Sequence, residues 1–169
     1  MTEIDITKHT KYSLEFIFNE ADKFSDQLLN GISANTNRSF VLFAFLTSVF
    51  SYSFVNILEK DFKYLLLLIG STIGILIIRK NLFPSEIKFK GSKPEKIMLK
   101  YFDDFSNEEL EKELLATQIK SYNTAINENE STIDSMIKRF SKSIWCLVIS
   151  FFTFLIIFLI SFIVECSNT

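Results

Sequence analysis

The chain has 169 residues, 48% of them hydrophobic and 22% charged, with a formal net charge of −2. Its 19 Phe stand against 4 Gly, 2 Pro, 2 Cys and one His. That leaves too few turn residues for a β-sandwich or a loop-rich α/β enzyme, too few ligands for zinc or Cys/His clusters or a disulfide framework, and no global charge to bind nucleic acid.

In chain order, residues 11–38 read as an amphipathic helix. Leu14, Ile17, Ala21, Phe24 and Leu28 follow a 3-4-3-4 spacing, with Phe18, Leu29 and Ile32 beside them. Gly31 and the polar run Ser33 to Asn37 are expected to end or bend it. Ser39 to Leu58 then gives about 20 residues without a charge. That is the length that crosses about 30 Å of hydrocarbon at 1.5 Å per residue. Tyr64 to Ile78 is a shorter block of about 15 residues, framed by Lys63 and by Arg79-Lys80, whose long side chains can snorkel. Ile144 to Val164, about 21 residues, is again uncharged. A core helix of a small soluble domain is rarely apolar on every side, so the three blocks are read as membrane spans. None has the form of a signal peptide, and the chain is expected to stay whole in the membrane.

The positive-inside rule sets orientation. Arg38 precedes span one, Arg79, Lys80, Lys88 and Lys90 follow span two, and Lys138, Arg139 and Lys142 precede span three. The N-terminus and residues 79–143 are therefore assigned to the cytoplasm, with the hairpin Glu59 to Lys63 and the tail facing out. The expected divisions are 1–38, an N-terminal amphipathic helix; 39–80, a two-span hairpin; 81–143, a cytoplasmic helical region; 144–164, the third span; and 165–169, a short tail.

Between spans two and three, Pro84 should interrupt the helix. Ile87 and Phe89 alternate with Lys88 and Lys90 as in a short extended piece, Gly91-Ser92 signals a turn, and Pro94 suits the start of a short helix. Ser106 with Glu109 forms a capping box, and acid follows in the first turns of a long helix. Ile119, Ile126, Ile133 and Phe140 recur every seven residues, with Leu115, Tyr122, Asn129 and Met136 on the companion position. Such a stalk can pack against the N-terminal helix of its own chain or form an intermolecular coiled coil. It has no Gly or Pro before the C-terminus and should run into span three. The fold class is thus all-α: an integral membrane protein with three transmembrane helices and a cytoplasmic helical stalk continuous with the last span.

Several residues stand out as candidate sites. Gly70 and Gly74 make a small-xxx-small pair that lets helix backbones approach. Ser143, Cys146, Ser150, Thr153 and Ser161 fall within about 80° on span three. Asn129, Met136, Ser143 and Ser150 share one heptad position, so the polar line of the stalk continues into the span. This line is either a hydrogen-bonded packing seam or the wall of a pore, and Asn129 in a heptad core would fix register and oligomer state. Lys88, Lys90, Lys93, Lys96 and Lys100 form a basic stretch suited to anionic lipid or to an anionic ligand such as a nucleotide. Cys146 and Cys166 are too far apart on one helix to pair. His9 stands alone, and no phosphate loop, nucleophile elbow or metal motif occurs, so no catalytic residue, cofactor or metal is assigned.

The order of these parts is specific: a helix, a two-span hairpin ending in Ile78-Arg79-Lys80-Asn81-Leu82-Phe83-Pro84, a loop with Gly91-Ser92-Lys93-Pro94, then Asn107-Glu108-Glu109-Leu110, Leu114-Leu115-Ala116-Thr117-Gln118-Ile119 and a long helix entering a last span. Over residues 30–164 this resembles the small membrane effectors of bacterial anti-phage systems, the Pycsar transmembrane effector and the related CBASS-like two-transmembrane effectors. The resemblance implies a homo-oligomeric effector that damages the inner membrane on infection and arrests growth. It also implies a cytoplasmic defence partner or a nucleotide second messenger as trigger. The rival expectation is an adaptor that anchors a soluble partner through residues 79–143.

Overall fold

The computed structural model describes residues 8–84, 87–88 and 106–167. Phe89, the Gly91-Ser92 turn, the helix expected after Pro94, and Lys90, Lys93, Lys96 and Lys100 lie outside the described residues. Within them are three α-helices and no strand: α1, Lys11–Leu58; α2, Leu65–Leu82; and α3, Asn107–Ser167. A 3-10 turn, Phe62–Tyr64, precedes α2. All three helices are long and apolar enough to cross a membrane. The turn lengthens the second apolar element to Phe62–Leu82, 21 residues, and so removes the shortfall of span two.

The N-terminal helix does not end at Gly31. Helix α1 continues through the polar run to Leu58. Gly in a helix interior costs only about 1 kcal/mol against Ala, and Ile32 and Ser39 are buried on either side of the run. Helix α1 closes with a Schellman motif in which Lys60 takes the left-handed position, φ 69°. The Asp61 N–H donates to the Asn56 carbonyl (3.1 Å), and the Lys60 N–H donates to the Ile57 carbonyl (2.9 Å). The Asp61 carboxylate then accepts from the Lys63 N–H at 3.2 Å. Helix α2 stops at Leu82 because Pro84 moves Phe83 out of helical conformation, φ −129° and ψ 75°. At the start of α3 the Ser106 N–H and hydroxyl both donate to the Glu109 carboxylate, at 3.3 and 2.6 Å.

The chain divides into two compact units: Met1–Ile32 with Glu86–Ile133, and Ser33–Ser85 with Asp134–Thr169. In the first unit, α1 and α3 run parallel. Lys11 pairs with Glu111 (2.6 Å), Phe18 meets the Tyr122 ring edge-on (5.3 Å), and Ile133 packs by Gly31. The Tyr122 hydroxyl donates to Asp22 at 2.9 Å. The core holds Leu14, Ile32, Ala116, Ile119, Tyr122 and Ala125, together with the polar Ser25 and Asn129. Ile17 and Phe24, expected on the buried face, stay exposed. The buried line instead takes a seven-residue step through Ser25 and Ile32, so it passes between the positions of a 3-4 apolar stripe.

In the second unit, α2 runs antiparallel to α1 and α3, as shown by Asn81 beside Ser39 and Met136 and by Gly74 beside Leu46 and Ser143. Its burial departs from that of a soluble core. Ser39, Ser53, Gly70, Ser71, Gly74, Asn81 and Ser143 are buried alongside Leu46, Leu67, Ile78, Leu82 and Met136. Phe40, Phe45, Phe54, Ile69, Leu76, Trp145, Phe152 and Ile163 are exposed.

Candidate functional site

Beyond Leu14, the buried groups of α1 form one series at seven-residue spacing: Ser25, Ile32, Ser39, Leu46 and Ser53. Helix α3 has the matching series Tyr122, Asn129, Met136 and Ser143, with half-buried Ser150 next. A strict heptad keeps one face inward along a helix. Alternating Ser with a larger apolar residue lets helix α1 pack closely while still filling space.

In the first unit the seam is anchored by Asn129. Its side-chain oxygen accepts the Lys88 N–H and its amide donates to the Lys88 carbonyl, both at 3.0 Å. Lys88 Nζ lies 3.4 Å from Glu128, so this cation of the basic stretch already has an acidic neighbour. Ile119 is buried, while Leu115, Ile126 and Ile133 are half-buried. The stalk positions are thus occupied by packing inside one chain.

In the second unit three layers follow. The first is centred on Asn81, which is fully buried. Its amide donates to Ser39 Oγ (3.3 Å) and to the Met136 carbonyl (2.8 Å), and its oxygen accepts from Arg139 Nη1 (3.3 Å). One residue thereby joins three helices. The second layer sets Gly74 against Leu46 and Ser143, whose hydroxyl donates to the Gly74 carbonyl at 2.9 Å. The third sets Gly70 against α3, where an added Cβ would collide with Ser150 and stand 3.3 Å from the Cys146 carbonyl. Ser150 itself bonds back to the Cys146 carbonyl (2.8 Å), and Thr153 to that of Ile149 (2.7 Å). Cys146, Phe140 and Ser161 are half-buried and Cys166 is exposed.

Gly70, Gly74, Met136, Ser143 and Ser150 are therefore brought together, and Asn129 serves the other unit. Residue patterning missed Ser25, Ser39, Ser53, Asn81 and Arg139 as seam members. Their signal was available: three serines fourteen residues apart, interleaved with Ile32 and Leu46, and an amide just beyond the apolar run of α2. Unlike Ser39, Ser25 and Ser53 have hydroxyls without a hydrogen-bond partner among the described residues.

Lys11 and Glu109, both outside the apolar stretches, have shifted pKa values. A hydrogen bond to Glu111, then its charge, raises the Lys11 pKa. Hydrogen bonds from the Ser106 hydroxyl and N–H lower that of Glu109. Among the described residues no group of His, Cys, Asp and Glu is arranged to hold a metal ion. No protein family, curated protein or solved structure matches the chain.

Proposed function

We propose that this chain is a multi-pass protein of the bacterial inner membrane with its N-terminus and residues 79–143 in the cytoplasm. It acts as a homo-oligomeric anti-phage effector that disrupts that membrane on infection and arrests growth. The observation that carries the membrane reading is the burial pattern of the second unit. Exposed Phe, Ile and Trp around buried Ser, Gly and Asn would be unfavourable in water by roughly 25 cal/mol per Å2 of apolar surface. In lipid the same arrangement is the stable one, because small residues and interhelical hydrogen bonds hold helices together there.

The effector reading adds the resemblance of residues 30–164 and the character of the seam. A bundle lined by Ser39, Asn81, Ser143 and Ser150 needs only a change of packing to offer hydroxyls and amides to an aqueous path. The adaptor reading is favoured by a different feature: Tyr12, Phe16 and Phe24 are exposed on α1 of the first unit, a surface a soluble partner could cover. Expression with a membrane-potential dye separates them. An effector depolarises induced or infected cells and stops growth. Cells that keep both potential and growth exclude it.

A further inference from the structure

Six of the eight cations of the second unit collect at one level, while Lys60 and Lys63 lie in the hairpin at the opposite ends of α1 and α2. Ser39, Asn81 and Met136 share a layer through their hydrogen bonds. Arg38 precedes Ser39, Arg79 and Lys80 precede Asn81, and Lys138, Arg139 and Lys142 follow Met136 within two turns. Arg139 is half-buried and the others are exposed. Among the described residues none of them forms an ion pair. Asp134 stands one turn before Lys138, while Glu59 and Asp61 lie in the hairpin at the opposite ends of α1 and α2.

Directly beyond the cations the surface turns apolar, through Phe40 and Val41 on α1, Leu76 and Ile73 on α2, and Ile144 on α3. Trp145, the single Trp of the chain, is 62% exposed at this boundary. Cations, then an indole, then an apolar sleeve is the order in which a phospholipid presents phosphate, interface and acyl chain.

We propose that this belt binds the headgroups of anionic phospholipids, with Arg139 as the innermost ligand. The inference rests on the membrane reading above. A free anion would use the cations but not the apolar sleeve contiguous with them, whereas a phospholipid uses both. Arg139 spends one N–H on Asn81, and a guanidinium has five, so it can hold a phosphate without releasing Asn81. A headgroup on Arg139 is then one hydrogen bond from the residue that joins three helices. Lipid charge becomes coupled to the junction.

The test uses the full chain in phosphatidylcholine vesicles, with Trp145 fluorescence as readout. One preparation carries brominated phosphatidylglycerol and the other brominated phosphatidylcholine at the same mole fraction. Quenching should be several-fold stronger with the anionic lipid, weaken as salt rises, and lose its preference in R79Q/K80Q/K138Q/K142Q. K60Q/K63Q in the hairpin should keep the preference. Equal quenching by the two lipids overturns the belt and leaves the membrane reading standing. Absence of quenching by either overturns both.

Discussion

Asn129 holds the main chain of Lys88 as a neighbouring strand would, accepting its N–H and donating to its carbonyl at 3.0 Å each. A fully buried amide on a heptad position thus has its hydrogen bonds met within one chain. Asn129→Leu should leave both Lys88 backbone groups unpartnered at a cost of about 1–3 kcal/mol. Trypsin should then cut after Lys88 faster than in the parent chain. An unchanged cleavage rate would mean that Asn129 does not hold the Lys88 main chain.

Gly70 and Gly74 should differ in sensitivity. A methyl at Gly70 meets both side-chain atoms of Ser150, whereas at Gly74 it meets the flexible end of Leu46 and the Ser143 hydroxyl at 3.1–3.2 Å. Gly70→Ala is expected to cost about 1–3 kcal/mol and Gly74→Ala less. Ser150→Gly should rescue Gly70→Ala. Thermal unfolding in detergent measures the order, and a larger loss at Gly74 would contradict the packing described.

Lys60 occupies a position that normally takes Gly. Its φ of 69° places a side chain in left-handed conformation at a cost of roughly 1 kcal/mol. Lys60→Gly should therefore stabilise the hairpin by up to about that amount, seen as a higher unfolding midpoint. A drop would mean that the Lys60 side chain contributes more than its backbone costs.

Asn81→Leu removes bonds to Ser39, Met136 and Arg139 together. Interhelical hydrogen bonds in membranes contribute about 0.6 kcal/mol each, so a loss near 1–2 kcal/mol is expected. If the junction holds the resting effector, this variant depolarises uninfected cells at an expression level at which the parent chain does not. Normal potential in cells with a confirmed level of the variant would detach the junction from function.

Acid should fray the start of α3. The Glu109 pKa is lowered in the folded chain, so its stabilising contribution is present above the ordinary carboxylate value and lost as pH falls through the folded one. Lys11 has the opposite sign: its raised pKa gives a contribution present below the ordinary lysine value and lost as pH rises through the folded one. Amide exchange at Leu110, whose N–H donates to the Ser106 carbonyl at 2.8 Å, reports the first effect. Ser106→Ala should move the acid transition to higher pH.

Sequence alone determined the helical class, the apolar blocks, the stop before Pro84 and the Ser106–Glu109 cap. Each depends on local rules: charge-free length, the geometry before proline, and a partner three residues away. It also marked Gly70 and Gly74, because close packing needs small residues at that spacing. The tertiary structure alone decided that α1 passes Gly31 unbroken, that Ile17 and Phe24 face outward while Ser25 is buried, and that Asn81 joins three helices. Those outcomes turn on partners about 40 to 100 positions away in the chain. A buried Ser or Asn looks like any polar residue until the groups that accept and donate its hydrogen bonds are in place.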